Sequence, residues 1–171
     1  MGKEKINIII AFCFVIAFFA SSSSVHAEEI VGKAKVIAGD LIEIDGRRVR
    51  LYGIDAPDLD QICLSKKGEE YKCGDHAKRH LAVMIGRLPL TCKGEKKDEN
   101  GALIAVCSIR WLDINENIVF DGWALAYREH GDDYVRAELA AKARHQGLWR
   151  GSAFVTPWEW RAGARDFRKP R

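Results

Sequence analysis

Hydrophobic and polar positions change regime several times along the chain. Residues 6–20 form an almost unbroken apolar run, behind a basic start at Lys3 and Lys5 and ahead of four serines at 21–24. Val25-His26-Ala27 fits the small-residue cleavage pattern, so residues 1–27 are expected to be a signal peptide. The apolar run is shorter than the ~20 residues that a membrane-spanning helix needs, and no second one follows. No membrane span is expected once the signal is removed. The pattern then turns to β-branched and alternating stretches. Strands are predicted over 30–36 and 41–44, with a two-residue hairpin turn at Asp45-Gly46 and a return strand over 48–54.

A loop over 55–65, broken by Pro57, leads to a helix over 69–85, where Cys73, Ala77, Leu81, Met84 and Ile85 share a buried face. A second hairpin runs out over 88–92, across 93–101, and back over 102–109. The last third reads as helical: 115–129, then 132–146 up to Gly147, and a short segment over 157–165. Strands followed by helices give an α+β domain, and a five-stranded OB-type β-barrel is the natural closure for so few strands.

Cleavage after residue 27 would leave 144 of the 171 residues, enough for one domain over 28–171. Removing Lys3, Lys5 and Glu4 from the 27 basic and 24 acidic side chains leaves 25 and 23. Such a balance excludes a polybasic nucleic-acid binder of the histone kind. The charge is nonetheless uneven: the tail over 161–171 carries Arg161, Arg165, Arg168, Lys169 and Arg171 against Asp166 alone. Its simplest reading is a frayed terminus, with contact to nucleic acid or an anionic surface as the alternative.

Export changes how the cysteines read. Cys63, Cys73, Cys92 and Cys107 remain after cleavage, and four cysteines allow three pairings. With a hairpin loop at 98–101, Lys97 faces Ala102 and Cys92 faces Cys107, which pairs Cys92 with Cys107 and, by elimination, Cys63 with Cys73. His76 and His80, four apart, flank buried positions and read as a solvated helix edge; His130 and His145 read as helix-end histidines. The mixed-charge run over 93–99 reads as a solvated hairpin tip. Trp123, Trp149, Trp158 and Trp160 read as packing residues, while Tyr52 and Trp111 are candidates for base stacking.

Chemistry concentrates between residues 38 and 58. Asp40 begins one strand and Asp55 ends its hairpin partner, so both lie at the open end of that hairpin, with Asp40 near Tyr52 and Gly53. Two exposed carboxylates and a loop carbonyl make a hard-cation site of the Ca²⁺ kind. Arg50 projects nearby as a two-pronged phosphate donor. The plainer alternative makes Asp40 and Asp55 turn formers and Arg50 a surface residue.

Gly32 to Ile37 with Gly39-Asp40, then the string Arg48-Val49-Arg50-Leu51-Tyr52-Gly53-Ile54-Asp55-Ala56-Pro57, resembles the staphylococcal-nuclease (thermonuclease) family. Cys73-Gly74, Gly122-Trp123-Ala124, Ala126-Tyr127 and Gly147-Leu148-Trp149 extend the resemblance over residues 30–161. It implies an OB barrel with helices and Ca²⁺-dependent hydrolysis of DNA and RNA phosphodiesters. Asp40 and Asp55 match the Ca²⁺ carboxylates, and Ala56 stands where a backbone carbonyl also reaches the ion. Arg50 matches the first catalytic arginine, and Asp58 matches the catalytic glutamate with one methylene fewer. The second catalytic arginine is missing: the hairpin tip reads Asn100-Gly101-Ala102, and no nearby arginine replaces it. An arginine meeting transition-state charge is worth ~10³–10⁵ in rate in other phosphoryl-transfer enzymes. The sequence therefore favours an exported, monomeric member with very low or lost phosphodiesterase activity. Such a protein, periplasmic or extracellular, would bind nucleic acid or another anionic polymer, with weak Ca²⁺ binding. The alternative is an active Ca²⁺-dependent secreted nuclease.

Overall fold

A computed structural model describes residues 27–167. The signal-peptide expectation therefore falls almost wholly outside the described residues, as do Arg168, Lys169 and Arg171 of the tail. Nine residues of alternating burial form β1 (Glu28–Val36), followed by β2 (Leu41–Ile44) and β3 (Arg47–Leu51). Asp45 and Gly46 both take positive φ, which makes the two-residue turn between β2 and β3. Later come β7 (Pro89–Lys97) and β8 (Leu103–Ile109), another antiparallel hairpin. The strand order is β3-β2-β1-β7-β8, and a parallel pairing of β3 with β8 closes these five strands into a barrel. The α+β, OB-type expectation is met.

Inward positions of the strands supply the core: Ile42, Ile44, Val49, Leu51, Leu90 and Ala105 are buried, and α1 (Cys73–Ile85) adds Ala77, Leu81 and Ile85. Burying an aliphatic side chain is worth about 1.5–3 kcal/mol, so this set dominates the stability of the barrel. Two further helices, α2 (Ile114–Phe120) and α3 (Val135–Ala143), pack beside it, and α4 (Pro157–Arg161) is the last helix of the described residues. Among the described residues no helix is long and apolar enough to cross a membrane.

Several boundaries differ from those the sequence predicts. Residues 70–72 are not helical; they form β6 (Glu70–Lys72), paired with β5 (Ile62–Leu64). The helix predicted over 115–129 stops at Phe120, because Gly122 turns to φ +76 and its backbone packs on Gln146: a Cβ there would lie 2.3 Å from the Gln146 oxygen. The chain then forms β10 (Leu125–Ala126), paired with β4 (Ile54–Asp55). Between β8 and α2 lies β9 (Leu112–Asp113), whose Asp113 carboxylate caps α2.

Disulfides join Cys63 to Cys73 and Cys92 to Cys107. Cys92 does face Cys107 across the hairpin, but a bulge between Gly94 and Lys96 shifts the outer register, so Lys97 faces Leu103 rather than Ala102. Two bridges suit an oxidising, exported environment.

Candidate active site

The cleft is assembled from four separate stretches of chain. In β3, Val49 and Leu51 point into the barrel, which turns Arg50 outward. Leu41 pairs with Arg50 and the Leu51 amide donates to the Asp40 carbonyl, so Asp40 stands one residue along from Arg50's partner. The Arg50 guanidinium donates from Nη1 to Asp40 Oδ2 at 3.0 Å and from Nε to Asp98 Oδ2 at 2.9 Å. Asp98 is therefore not a merely solvated member of the charge run. Its other oxygen accepts from the Asn100 and Ala102 amides, holding the hairpin turn, while Oδ2 anchors Arg50. The Asp-x-Asn-Gly turn at 98–101 is the signal that marks it.

Asp55 is fixed by the short β4–β10 pairing, in which it faces Leu125. The same pairing delivers Tyr127, whose amide donates to the Gly53 carbonyl. The loop after Asp55 is tied down by Gln61, fully buried, whose Oε1 accepts from the Asp58 amide at 3.3 Å and whose Nε2 donates to the Val155 carbonyl at 2.7 Å. One side chain thus links Asp58 to the segment leading into α4. The disulfide Cys63–Cys73 fastens the same loop to α1.

Arg161, the last residue of α4, enters the cleft. It donates from Nη1 and Nη2 to the two oxygens of Asp55 at 3.1 and 2.5 Å, and its Nη1 lies 3.5 Å from Asp58 Oδ1. This corrects one sequence reading: the start of the basic tail is not frayed, and its Arg161 lines the same cleft as Arg50. Ala102 itself is buried. A cleft of about 530 Å³ is lined by Asp40, Arg50, Asp55, Asp58, Tyr127 and Arg161, together with Asp98, Glu99 and His130.

His130 was expected at a helix end and is found instead in a turn on the cleft wall. Its ring stacks on Tyr52 at 5.5 Å and meets Tyr127 edge-on at 5.0 Å. Tyr52 donates its hydroxyl to the His130 carbonyl at 2.5 Å and lines an adjoining groove with Lys93 and Lys96, so the rings lining the cleft itself are Tyr127 and His130. Trp111 is almost fully exposed at the β8–β9 turn, outside the cleft. His76 lies against Trp123 and His80 pairs with Asp121, both away from the cleft.

Asp40 and Asp55 are nearly inaccessible, and burial raises both pKa values, that of Asp40 to about 6, in spite of Arg50 beside one and Arg161 beside the other. Asp55's charge adds to the upward push on Asp40. Asp40, Asp55 and a loop carbonyl such as that of Ala56 offer hard oxygen donors of the kind a Ca²⁺ ion takes, and Arg50 and Arg161 hold the two carboxylates in this structure. Among the described residues no three His, Cys, Asp or Glu side chains are grouped so as to hold a metal ion.

The chain matches the family model described as staphylococcal nuclease homologue over residues 48–151, which spans β3 to the turn before α4. It belongs to that family. The staphylococcal-nuclease homologue is 35% identical over 127 residues to a succinoglycan biosynthesis protein, ExoI, of Rhizobium meliloti (strain 1021), covering 72% of this chain and 66% of that one. It is 28% identical over 116 residues to an uncharacterized endonuclease of Haemophilus influenzae, covering 67% and 60% of the two chains. A probable staphylococcal-like nuclease of Oryza sativa subsp. japonica, CAN3, is 27% identical over 124 residues, 71% of this chain and 30% of that one. The homologue thus spans two-thirds or less of these curated relatives.

The raised pKa of Asp40 carries a stability prediction. A folded value near 6 against an ordinary 3.8 means that the native state keeps a proton which the unfolded chain gives up. Stability contributed by that proton is present below about pH 4 and lost as pH rises to about 6, up to about 3 kcal/mol. Asp40→Asn, which stays neutral, is expected to melt higher than the native protein at pH 7.5 in chelator and to lose that advantage at pH 4. Thermal melts at the two pH values check it; equal differences at both would remove the burial penalty.

Proposed function

We propose that this protein hydrolyses phosphodiester bonds of nucleic acid in a cation-dependent reaction, acting outside the cytoplasm as a monomer. The observation that carries the reading is the convergence of three carboxylates, Asp40, Asp55 and Asp58, with two arginines, Arg50 and Arg161, in one cleft. Without added cation the cleft is rich in carboxylates and would repel a phosphate. Asp40 and Asp55 would hold a Ca²⁺ ion, which would supply positive charge toward the phosphate. Arg50, released in part from Asp40, offers a planar fork to two phosphate oxygens. Asp58, the accessible carboxylate, accepts a proton from water as the water oxygen bonds to phosphorus. The P–O bond to the leaving oxygen then breaks, and that oxygen takes a proton from solvent. Tyr127 and His130 offer ring faces to the base or sugar beside the phosphate.

The buried alanine at 102 favours a second reading, in which nucleic acid or another anionic polymer is held with little turnover. The relatives named as nucleases support the first reading and the one named for succinoglycan biosynthesis leaves room for the second. Digestion of DNA and RNA by the purified protein with Ca²⁺, and again with chelator, separates them: chelator-sensitive cleavage supports hydrolysis, and binding without cleavage supports the second reading.

A further inference from the structure

We propose that Arg161 is the second phosphate-facing arginine of the cleft, delivered by α4 in place of the hairpin-tip position that Ala102 leaves uncharged. The inference rests on the phosphodiesterase reading and adds to it a second arginine that meets phosphate charge.

Its placement is the first support. Arg161 is 106 residues from Asp55 in the chain, yet both terminal nitrogens reach that carboxylate and one also approaches Asp58. Asp55 is a residue proposed to hold the cation, and Asp58 the one proposed to accept the water's proton, so the guanidinium lies between the two. Its side chain remains 47% exposed, open toward the cleft. A guanidinium has five N–H donors in a fixed fork, so binding Asp55 on one edge leaves donors for phosphate oxygens on another.

Its rigidity is the second support. Thr156 and Glu159 form a capping box at the start of α4, Pro157 occupies the first turn, and Trp160 is buried. Arg165 lies 3.6 Å over the Trp160 ring and donates to the Trp160 carbonyl at 2.8 Å. Upstream, Val155 is held by Gln61 and Ala153 by the Leu64 amide. The helix end is thus braced on both sides by packing that a dangling tail would not have. The hairpin tip offers no equivalent: Ala102 is buried, and its amide is spent on Asp98, which in turn faces Arg50. As the water oxygen bonds to phosphorus and charge grows on the non-bridging oxygens, Arg50 and Arg161 both donate to it.

The test compares the native protein with Arg161→Gln, Arg161→Lys and Arg161→Ala. Two readouts are used: cleavage of a short single-stranded DNA in Ca²⁺, and the salt dependence of binding of the oligonucleotide dT8. Arg161→Gln should lower kcat by at least ~10²-fold with KM changed only a few-fold, since one well-placed transition-state donor is commonly worth that much. Arg161→Lys should recover little of it, because the fork is lost. Free guanidinium, below denaturing concentration, should restore part of the activity of Arg161→Ala and none to the native protein, which a purely structural role for Arg161 would not produce. The slope of log affinity against log salt for dT8 should fall by about 0.7 in Arg161→Gln, the value for one phosphate contact on a single strand. Cleavage by Arg161→Gln within about threefold of native overturns the proposal, as does a loss that guanidinium cannot restore. If the native protein cleaves nothing, the phosphodiesterase reading fails, and the slope decides alone: a smaller slope supports Arg161 as a phosphate contact, and an unchanged slope overturns it.

Discussion

Arg50→Gln is expected to lower the rate of phosphodiester cleavage by at least ~10³-fold while leaving the barrel folded, as phosphate-clamping arginines in other phosphoryl-transfer enzymes lead one to expect. The size follows from how Arg50 is held. Its backbone sits at the barrel seam, paired with Leu41 on one side and with Ile104 of the parallel strand on the other. Its head is clamped between Asp40 and Asp98, so the guanidinium is already aimed when a phosphate arrives. Glutamine keeps the stem and loses both the charge and the fork. The fold has little at stake, because the neighbouring Val49 and Leu51 carry the core contacts and Arg50 itself is one-third exposed. Arg50→Lys should remain down by ~10² or more, since an ammonium cannot serve Asp98 and two phosphate oxygens in one plane. Initial rates with circular dichroism melts check both; a rate within tenfold of native in either variant would remove Arg50 from the reaction.

Gly74→Ala is the second large effect, and it is expected on stability and activity together. Gly74 lies in the first turn of α1, where alanine would ordinarily gain about 1 kcal/mol of helix propensity. Here a Cβ would lie 1.9 Å from the Asp58 carbonyl oxygen and 2.8 Å from that of Pro57. Both contacts are backbone, and the loop cannot retreat easily: Cys63 ties it to Cys73 and Gln61 ties it to Val155. Overpacking of this kind commonly costs 1–3 kcal/mol and here should exceed the propensity gain, for a net loss of about 2 kcal/mol or more. The displaced loop carries Asp58, and a shift of about 1 Å at a reacting group can cost ~10²-fold in rate. A variant more stable than native and fully active would show that the loop is free to move away from α1.

The barrel was legible because its strands alternate strictly or cluster β-branched residues, and because Asp45-Gly46 marks a tight hairpin turn. That hairpin is local, so the neighbourhood of Asp40 and Arg50 followed from spacing; the return strand expected over 48–54 stops at Leu51, and Asp55 is held instead by the β4–β10 pairing. The misread boundaries have physical causes. Residues 70–72 are charged or polar enough to extend a helix on paper, but Cys63–Tyr71 pairing makes them a strand. Trp123 and Tyr127 keep helical spacing with Phe120, yet the close approach of Gly122 to Gln146 ends the helix before them. Arg161 was not legible in the cleft at all. Its contact with Asp55 spans almost the whole domain, and nothing in a run of basic residues near a terminus says which one turns inward. Asp98 was hidden the same way, 48 residues from Arg50 inside a mixed-charge run that reads as solvent-exposed.

The central claim is that this cleft cleaves phosphodiesters with the help of a cation on its buried carboxylates. It is tested most directly by initial rates of single-stranded DNA cleavage for the native protein and Asp55→Asn, purified in parallel and assayed with Ca²⁺ and with chelator. Asp55 is 5% exposed and holds Arg161, so its loss disturbs the cation site and the second arginine together. The account predicts cleavage by the native protein in Ca²⁺, none in chelator, and a rate at least ~10²-fold lower for Asp55→Asn. Equal rates for the two proteins, or no cleavage by the native protein in Ca²⁺, would contradict it.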